Sequence, residues 1–227
     1  MKVTTLNYSP EIGNIYIIGE EGEPAIVVDF GYNKNHCLEN YLNKHHQGKY
    51  IIFLTHGHYD HISGLADLDL DSKLPIICVC QDEFEYLFDK TLNLSEEVFG
   101  KEIKISENLP FYKFEDEDEF YINSKTLWIE NKSSTNSYKI QIIETPFHTK
   151  GSTCFYFPEE KVIFTGDTLF KLCIGRYDLK GSCPRFIRSS LDKLKKIPDD
   201  VAMYPGHGSS STMGFEKVNN DFLNGNL

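Results

Sequence analysis

Residues 56–61 read HGHYDH, which places three of the chain's eight histidines and an aspartate within six positions. Imidazoles and a carboxylate crowded this closely need partners if they are buried, and a shared metal ion can satisfy them together. The cluster follows the apolar run YIIFLT (50–55), which reads as a buried strand. It precedes ISGLADL (62–68), where Ile62, Leu65 and Leu68 share a helical face. The histidines therefore sit on a strand-to-helix loop, at a strand's carboxyl end. An extended segment points His56 and His58 to one side. Asp60 and His61 follow after the chain turns, so the two pairs can face two different ions.

The rest of the chain alternates in a way that suits an α/β protein. NIYIIG and AIVVDF, separated by EEGEP, predict an antiparallel hairpin ending at Asp29. Leu38, Tyr41, Leu42 and His45 recur at helical spacing over 35–47, with Gly48 at the cap position. LPIICVC reads as another buried strand, in which Cys78 and Cys80 are packing residues. Residues 82–107 read as helical and then irregular, a local insertion, and EDEDE (115–119) reads as a solvated acidic loop. Further on, TLWIEN and YKIQIIETP predict a hairpin around KSSTNS, and STCFYF and VIFTGD a second one around PEEK. A helix over 184–197 and a last short strand, VAMYP, complete the pattern. With 227 residues, 40% of them hydrophobic, one domain spanning 1–227 is expected.

Three more potential ligands fall just past apolar strands and beside glycine: His148 in TPFHTKGS, Asp167 in FTGDTLF and His207 in YPGHG. Taken in order, THGHYDH, HTKGS, TGDTLF and GHG resemble the signature of the metallo-β-lactamase superfamily. GDTLF…IGRYDL and YPGHGSSSTMGFE are most similar to its single-domain, glyoxalase-II-like branch. The resemblance spans nearly the whole chain and implies a four-layer αββα sandwich with metals at one edge. It implies that His56, His58 and His148 hold one ion, that Asp60, His61 and His207 hold a second, and that Asp167 bridges them. Imidazole and carboxylate donors suit zinc, with iron or manganese as alternatives. Two ions roughly 3.5–4 Å apart would turn a shared water into a hydroxide nucleophile at neutral pH, a role in which Asp60 and Asp167 count as catalytic. Asp29 matches the family's early aspartate and would orient the histidine loop by hydrogen bonds; its plainer reading is a turn residue ahead of Gly31. Tyr59 either lines the cleft or packs.

The sequence departs from the family's usual GHTPGS at FHTKGS, where Phe147 and Lys150 are expected to change the substrate wall. Lys150 and Arg176 follow metal ligands in loops and are expected to hold an anionic part of the substrate, although Arg176 could equally pair with Asp178. Ser152, close to His148, has no evident base partner and reads as a loop residue rather than a nucleophile. Two-domain glyoxalase II enzymes carry a long helical segment beyond the last metal histidine, whereas twenty residues follow His207 here. Glutathione specificity is therefore not carried over.

A formal charge of −11, from 34 acidic and 23 basic residues, disfavours nucleic acid and anionic membrane surfaces as partners. There is no signal-peptide pattern or membrane span, and six scattered cysteines suit reduced thiols, so a cytoplasmic protein is expected. The leading reading is a dinuclear metallohydrolase acting on a small acyl substrate, a thioester of the hydroxyacylglutathione type. One rival is a persulfide dioxygenase with a single iron on His56, His148 and Asp167. Another is a non-catalytic metal-binding protein. The oligomeric state stays open.

Overall fold

Strands whose successive side chains are all apolar need cover on both faces, and this chain has several of them. In the computed structural model, which describes all residues except 10, 71, 72, 99, 117, 131–135, 226 and 227, two stacked sheets and flanking helices provide that cover. The first sheet runs in sequence order: β1 (Val3–Leu6), β2 (Ile15–Ile18), β3 (Ala25–Val28), β4 (Tyr50–Phe53), β5 (Ile77–Cys80) and β6 (Phe111–Phe114). Strands β1 to β3 are antiparallel, and β3 to β6 are parallel. Helix α1 (Cys37–His46) makes the crossover from β3 to β4, and the short α2 (Tyr59–Ile62) follows β4.

The second sheet contains β7 (Glu119–Asn123), β8 (Ile129–Glu130), β9 (Ser137–Glu144), β10 (Thr153–Phe157) and β11 (Val162–Gly166). A small ribbon, β12 (Leu169–Phe170) and β13 (Cys173–Ile174), comes next, then α3 (Ile187–Leu194), β14 (Ala202–Pro205), β15 (Ser211–Thr212) and α4 (Met213–Asn219). The order across the sheet is β15-β14-β11-β10-β9-β7-β8, with β11 and β14 parallel. The period-two alternation of strands sorts their side chains into separate cores. From β4, Tyr50 and Ile52 join Leu38 and Leu42 of α1, while Ile51 and Phe53 enter the core between the sheets. From β10, Phe155 and Phe157 enter that central core, while Cys154 and Tyr156 pack with Ile187, Leu191 and Leu194 of α3. Three cores between four layers give the αββα sandwich.

This topology sets where the site can form. Strands β3, β4 and β5 are parallel and end at one edge of their sheet, as β11 and β14 do in theirs. The residues that follow, Asp29, the histidine cluster, Asp167 and His207, thus emerge at strand ends, the usual place for a site in parallel sheets.

Several expectations need correction. TLWIEN contributes only β8, which pairs with β7, and it is β7 that pairs with β9, so the expected hairpin around KSSTNS is replaced by a β7–β8 hairpin. Residues 131–135 of that turn lie outside the described ones. The acidic run is not merely solvated: Glu119 opens β7, and Asp116 accepts hydrogen bonds from Lys193 Nζ and from the Glu144 amide. The expected helix over 62–68 is a single α-helical turn followed by a 310 segment, yet Ile62, Leu65 and Leu68 do share the outer core. His46 is buried and its Nδ1 meets the Glu23 carbonyl at 2.9 Å. Strands β1, β6, β7, β12, β13 and β15 and helix α4 had no sequence-based counterpart. No helix among the described residues is long and apolar enough to cross a membrane.

The central core is aromatic: fully buried Phe155 meets Phe53 and Phe114 at ring-centroid distances of 5.2 and 5.8 Å. We expect Phe155→Ala to destabilise the fold by about 3–5 kcal/mol, read as a lower urea midpoint with an unchanged slope.

Candidate metal centre

His56 and His58 lie in the extended segment after β4, and the chain turns into α2 directly behind His58, which keeps an extended backbone (φ −71°, ψ 150°). The turn sends Asp60 and His61 along a different direction. The loop between β9 and β10 supplies His148, the end of β11 supplies Asp167, and the loop after β14 supplies His207. All seven candidate ligands converge. Donor atoms lie within 4.8 Å of one another in each of three groups: His56, His58 and His148; His56, His61 and Asp167; and Asp60, His61 and His207.

Asp167 sits between these groups. Its Oδ1 is 3.4 Å from His61 Nε2, and its Oδ2 is 3.5 Å from His148 Nε2 and 3.8 Å from His207 Nε2. On the other side, His207 Nε2 is 2.9 Å from Asp60 Oδ2 and 3.3 Å from His61 Nε2. The fit to cations follows from what is left unpaired. Among the described residues, Nε2 of His56, His58 and His148 and Oδ1 of Asp167 are buried without a hydrogen-bond partner, a costly state for four converging acceptors. Burial pushes His56 and His148 down, and His58 down to about 3, with neighbouring imidazoles adding to the effect. Neutral imidazole is the form a metal needs. Burial works against a charged His61 and a charged Asp167 alike, but the surrounding carboxylates hold His61 well above the ordinary imidazole range. The surrounding imidazoles hold Asp167 well below the ordinary carboxylate range.

The far nitrogens of several rings are fixed by the scaffold. His148 Nδ1 donates to the Arg176 carbonyl at 2.7 Å, which aims Nε2 inward. His56 Nδ1 lies 3.0 Å from Thr55 Oγ1. Asp29 is buried with a left-handed backbone (φ 61°), a conformation that few non-glycine residues adopt. Its Oδ1 accepts the Thr55 amide at 2.8 Å, and its Oδ2 accepts Thr55 Oγ1 at 2.9 Å and His61 Nδ1 at 2.7 Å. Gly206 leaves room for these groups, since a Cβ there would lie 2.1 Å from Asp167 Oδ1.

The remaining expected residues lie around this centre. Tyr59 is buried, its amide donates to the Asn93 carbonyl, and Lys101 Nζ stands 5.8 Å from its ring. Lys150 and Arg176 are exposed and paired, Lys150 with Asp82 at 2.9 Å and Arg176 with Asp178 through two bonds of 2.9 and 3.0 Å. Phe147 is no part of a substrate wall: it is fully buried in the core beneath α3. Ser152 Oγ accepts the Thr149 amide at 3.0 Å and shapes the loop.

The start of the stretch 82–107, expected as a local insertion, supports the site. The 310 segment Gln81–Leu87 packs its fully buried Glu83 against the histidine loop, where Glu83 Oε2 accepts the Gly57 amide at 2.7 Å. Burial pushes the Glu83 carboxyl up to about 7, against hydrogen bonds from Thr149, Gly151 and Gly57. Asn14 and Tyr16 were likewise not singled out; both donate to the Pro205 carbonyl, at 3.1 and 2.6 Å, and so fix the loop of His207. No local signal marks Glu83 within the acid-rich QDEFE, whereas Asn14 just ahead of a strand is a visible but unspecific cue.

If Asp167 serves both halves of the centre, Asp167→Ala should lose both ions on dialysis, while His207→Ala should lose one and keep the other. Metal content by elemental analysis after dialysis checks this, and loss of both ions from the His207 variant would contradict the partition.

Comparison with known proteins agrees with this geometry. The metallo-beta-lactamase superfamily profile matches residues 8–207. The hydroxyacylglutathione hydrolase GloC of Haemophilus influenzae is 29% identical over 93% of this chain and 92% of its own. Among solved structures, BLEG-1 B3 metallo-beta-lactamase superposes with a TM-score of 0.79 at 26% identity, covering 99% of this chain and 100% of its own. TTHA1623, solved in a di-iron-bound form, superposes with a TM-score of 0.70 at 28% identity, covering 98% and 100%. Sequence signature, layered fold and converging ligands together place the chain in the metallo-β-lactamase superfamily.

Proposed function

We propose that this protein is a dinuclear metallohydrolase that cleaves small acyl thioesters of the hydroxyacylglutathione type. In this reading His56, His58 and His148 would hold one divalent ion, Asp60, His61 and His207 would hold the second, and Asp167 would serve both. Zinc is the first expectation; the di-iron form of TTHA1623 makes iron the main alternative. When bound, two such ions supply a hydroxide nucleophile at neutral pH and polarise the acyl oxygen.

The observation that carries the substrate class is the lack of a spare acid. Among the described residues around the centre, Asp29 is held by Thr55 and His61, Asp60 by His207, and Glu83 by backbone amides, while Asp167 lies among the imidazoles. A thiolate leaves readily without strong general-acid help, whereas an amine or alkoxide leaves better with it. The similarity to GloC supports the same class. Six free cysteines fit a reducing compartment, so we place the protein in the cytoplasm.

Lys150 follows His148 by two residues, the Arg176 carbonyl accepts His148 Nδ1, and Lys150 borders a pocket with Phe84 and Phe88. Their carboxylate partners are exposed, and exposed pairs are worth only about 0–1 kcal/mol, so a substrate carboxylate can take over either cation. Lys150→Ala and Arg176→Ala should each raise KM for an anionic thioester about 2–5-fold while leaving a neutral thioester unaffected, in line with that scale. Equal effects on both substrates would make the residues structural.

Protein loaded with zinc, and separately with iron, should release thiol from S-lactoylglutathione faster than it hydrolyses nitrocefin or bis-nitrophenyl phosphate. Faster turnover of either of those substrates would overturn the thioesterase reading. So would oxygen consumption with glutathione persulfide by the iron form alone, and no turnover by either loaded form would leave a non-catalytic metal-binding protein.

A further inference from the structure

The carboxylate of Glu83 is fully buried outside the ligand set, and its two oxygens face two different loops. Oε2 accepts the amide of Gly57, the residue between His56 and His58, at 2.7 Å. Oε1 accepts the amide of Gly151, three residues beyond His148, also at 2.7 Å. These loops come from different sheets, one after β4 and the other between β9 and β10. Tyr86, one 310 turn further on, reinforces the same junction: its hydroxyl donates to the Gly181 carbonyl at 2.9 Å and accepts the Lys150 amide at 3.3 Å.

Both glycines are pressed against this segment. A Cβ on Gly57 would lie 2.4 Å from Tyr86 Cβ, and one on Gly151 would lie 3.0 Å from Cys80 Sγ, Asp82 Cβ and Glu83 Cγ. Close backbone approach is what lets one carboxyl group reach both amides. The loops so joined carry His56, His58 and His148, whose Nε2 atoms have no other partner.

We propose that Glu83 is a positioning residue for the ion held by His56, His58 and His148: it locks the spacing between the two loops that carry them, through the Gly57 and Gly151 amides. The inference rests on the assignment of those histidines as ligands and is independent of the substrate. An amide side chain offers one acceptor oxygen and places an N–H donor against the second backbone amide. Glu83→Gln should therefore loosen one loop, and Glu83→Asp, one carbon shorter, should not span both.

The test uses cobalt(II) as the probe ion. Titration of metal-free wild type followed by the visible absorption of bound cobalt should show two ions, and Glu83→Gln should bind the first site about 10–100-fold more weakly, the range usual for residues that orient ligands. Its cobalt spectrum should be altered while its far-ultraviolet circular dichroism matches wild type. Tyr86→Phe, which leaves the carboxylate in place, should shift affinity less. Wild-type affinity and spectrum in a folded Glu83→Gln protein would overturn the proposal, and a lower melting temperature alone would mark the residue as merely structural. Should that variant fail to fold, amide exchange in unmodified metal-free protein decides: Gly57 and Gly151 should be protected and open together, and independent or unprotected exchange overturns the proposal. A wild type that binds no cobalt would instead refute the ligand assignment itself.

Discussion

Burial of the imidazole cluster is the constraint on which the rest of the molecule depends. Among the described residues, three Nε2 atoms and a carboxylate oxygen converge in buried positions without hydrogen-bond partners, a state that costs free energy. The fold responds by fixing the opposite side of the rings, through Arg176 for His148, Thr55 for His56 and Asp29 for His61. Rigid rings aimed at one point are what a cation requires, and they are poorly suited to anything else. The layered architecture supports this, because the histidine cluster and Asp167 follow β4 and β11, which are buried on both faces.

How much of this could be read from the chain follows from the range of each signal. His56, His58, Asp60 and His61 stand together in sequence, and His148, Asp167 and His207 each follow an apolar strand near glycine, so the residues that converge were legible as candidate ligands. Strands with two buried faces were legible as continuous apolar runs, such as YIIFLT and PIICVC. What was not legible depends on pairings set only in three dimensions. Strand β7 follows an acidic run, and its place between β8 and β9 is decided by register with Ile140 and Lys139, which no local pattern announces. Phe147 looked like a cleft residue because of its neighbour His148, yet its side chain fills the core beneath α3. Glu83 is one acid among several in a polar stretch, and only the close approach of Gly57 and Gly151 gives it a role.

Electrostatics separate the inside of the site from its rim. Inside, against the opposing effect of burial, the carboxylates raise His61 and His207 and the imidazoles lower Asp60 and Asp167. At the rim, Lys150 and Arg176 pair with exposed acids that water and salt screen. The first group belongs to the clusters that could hold cations. The second can exchange partners at little cost.

Two buried carboxylates outside the ligand set divide the work of support. Asp29, at the end of β3, accepts bonds from Thr55 and from His61 and so reaches the ring of one ligand directly. Glu83, in the segment after β5, touches no ligand ring and acts on backbone amides of two loops from separate sheets. Direct support orients a single imidazole, whereas amide support sets the distance between loops. A centre shared by two sheets needs both kinds, because each sheet can fix its own ligands but neither can fix the gap between them. A carboxylate fits that gap for a physical reason: it is a short side chain with two strong acceptors facing apart, able to bind one amide from each side. The 310 segment Gln81–Leu87 supplies it at the place where β5 ends beside both loops.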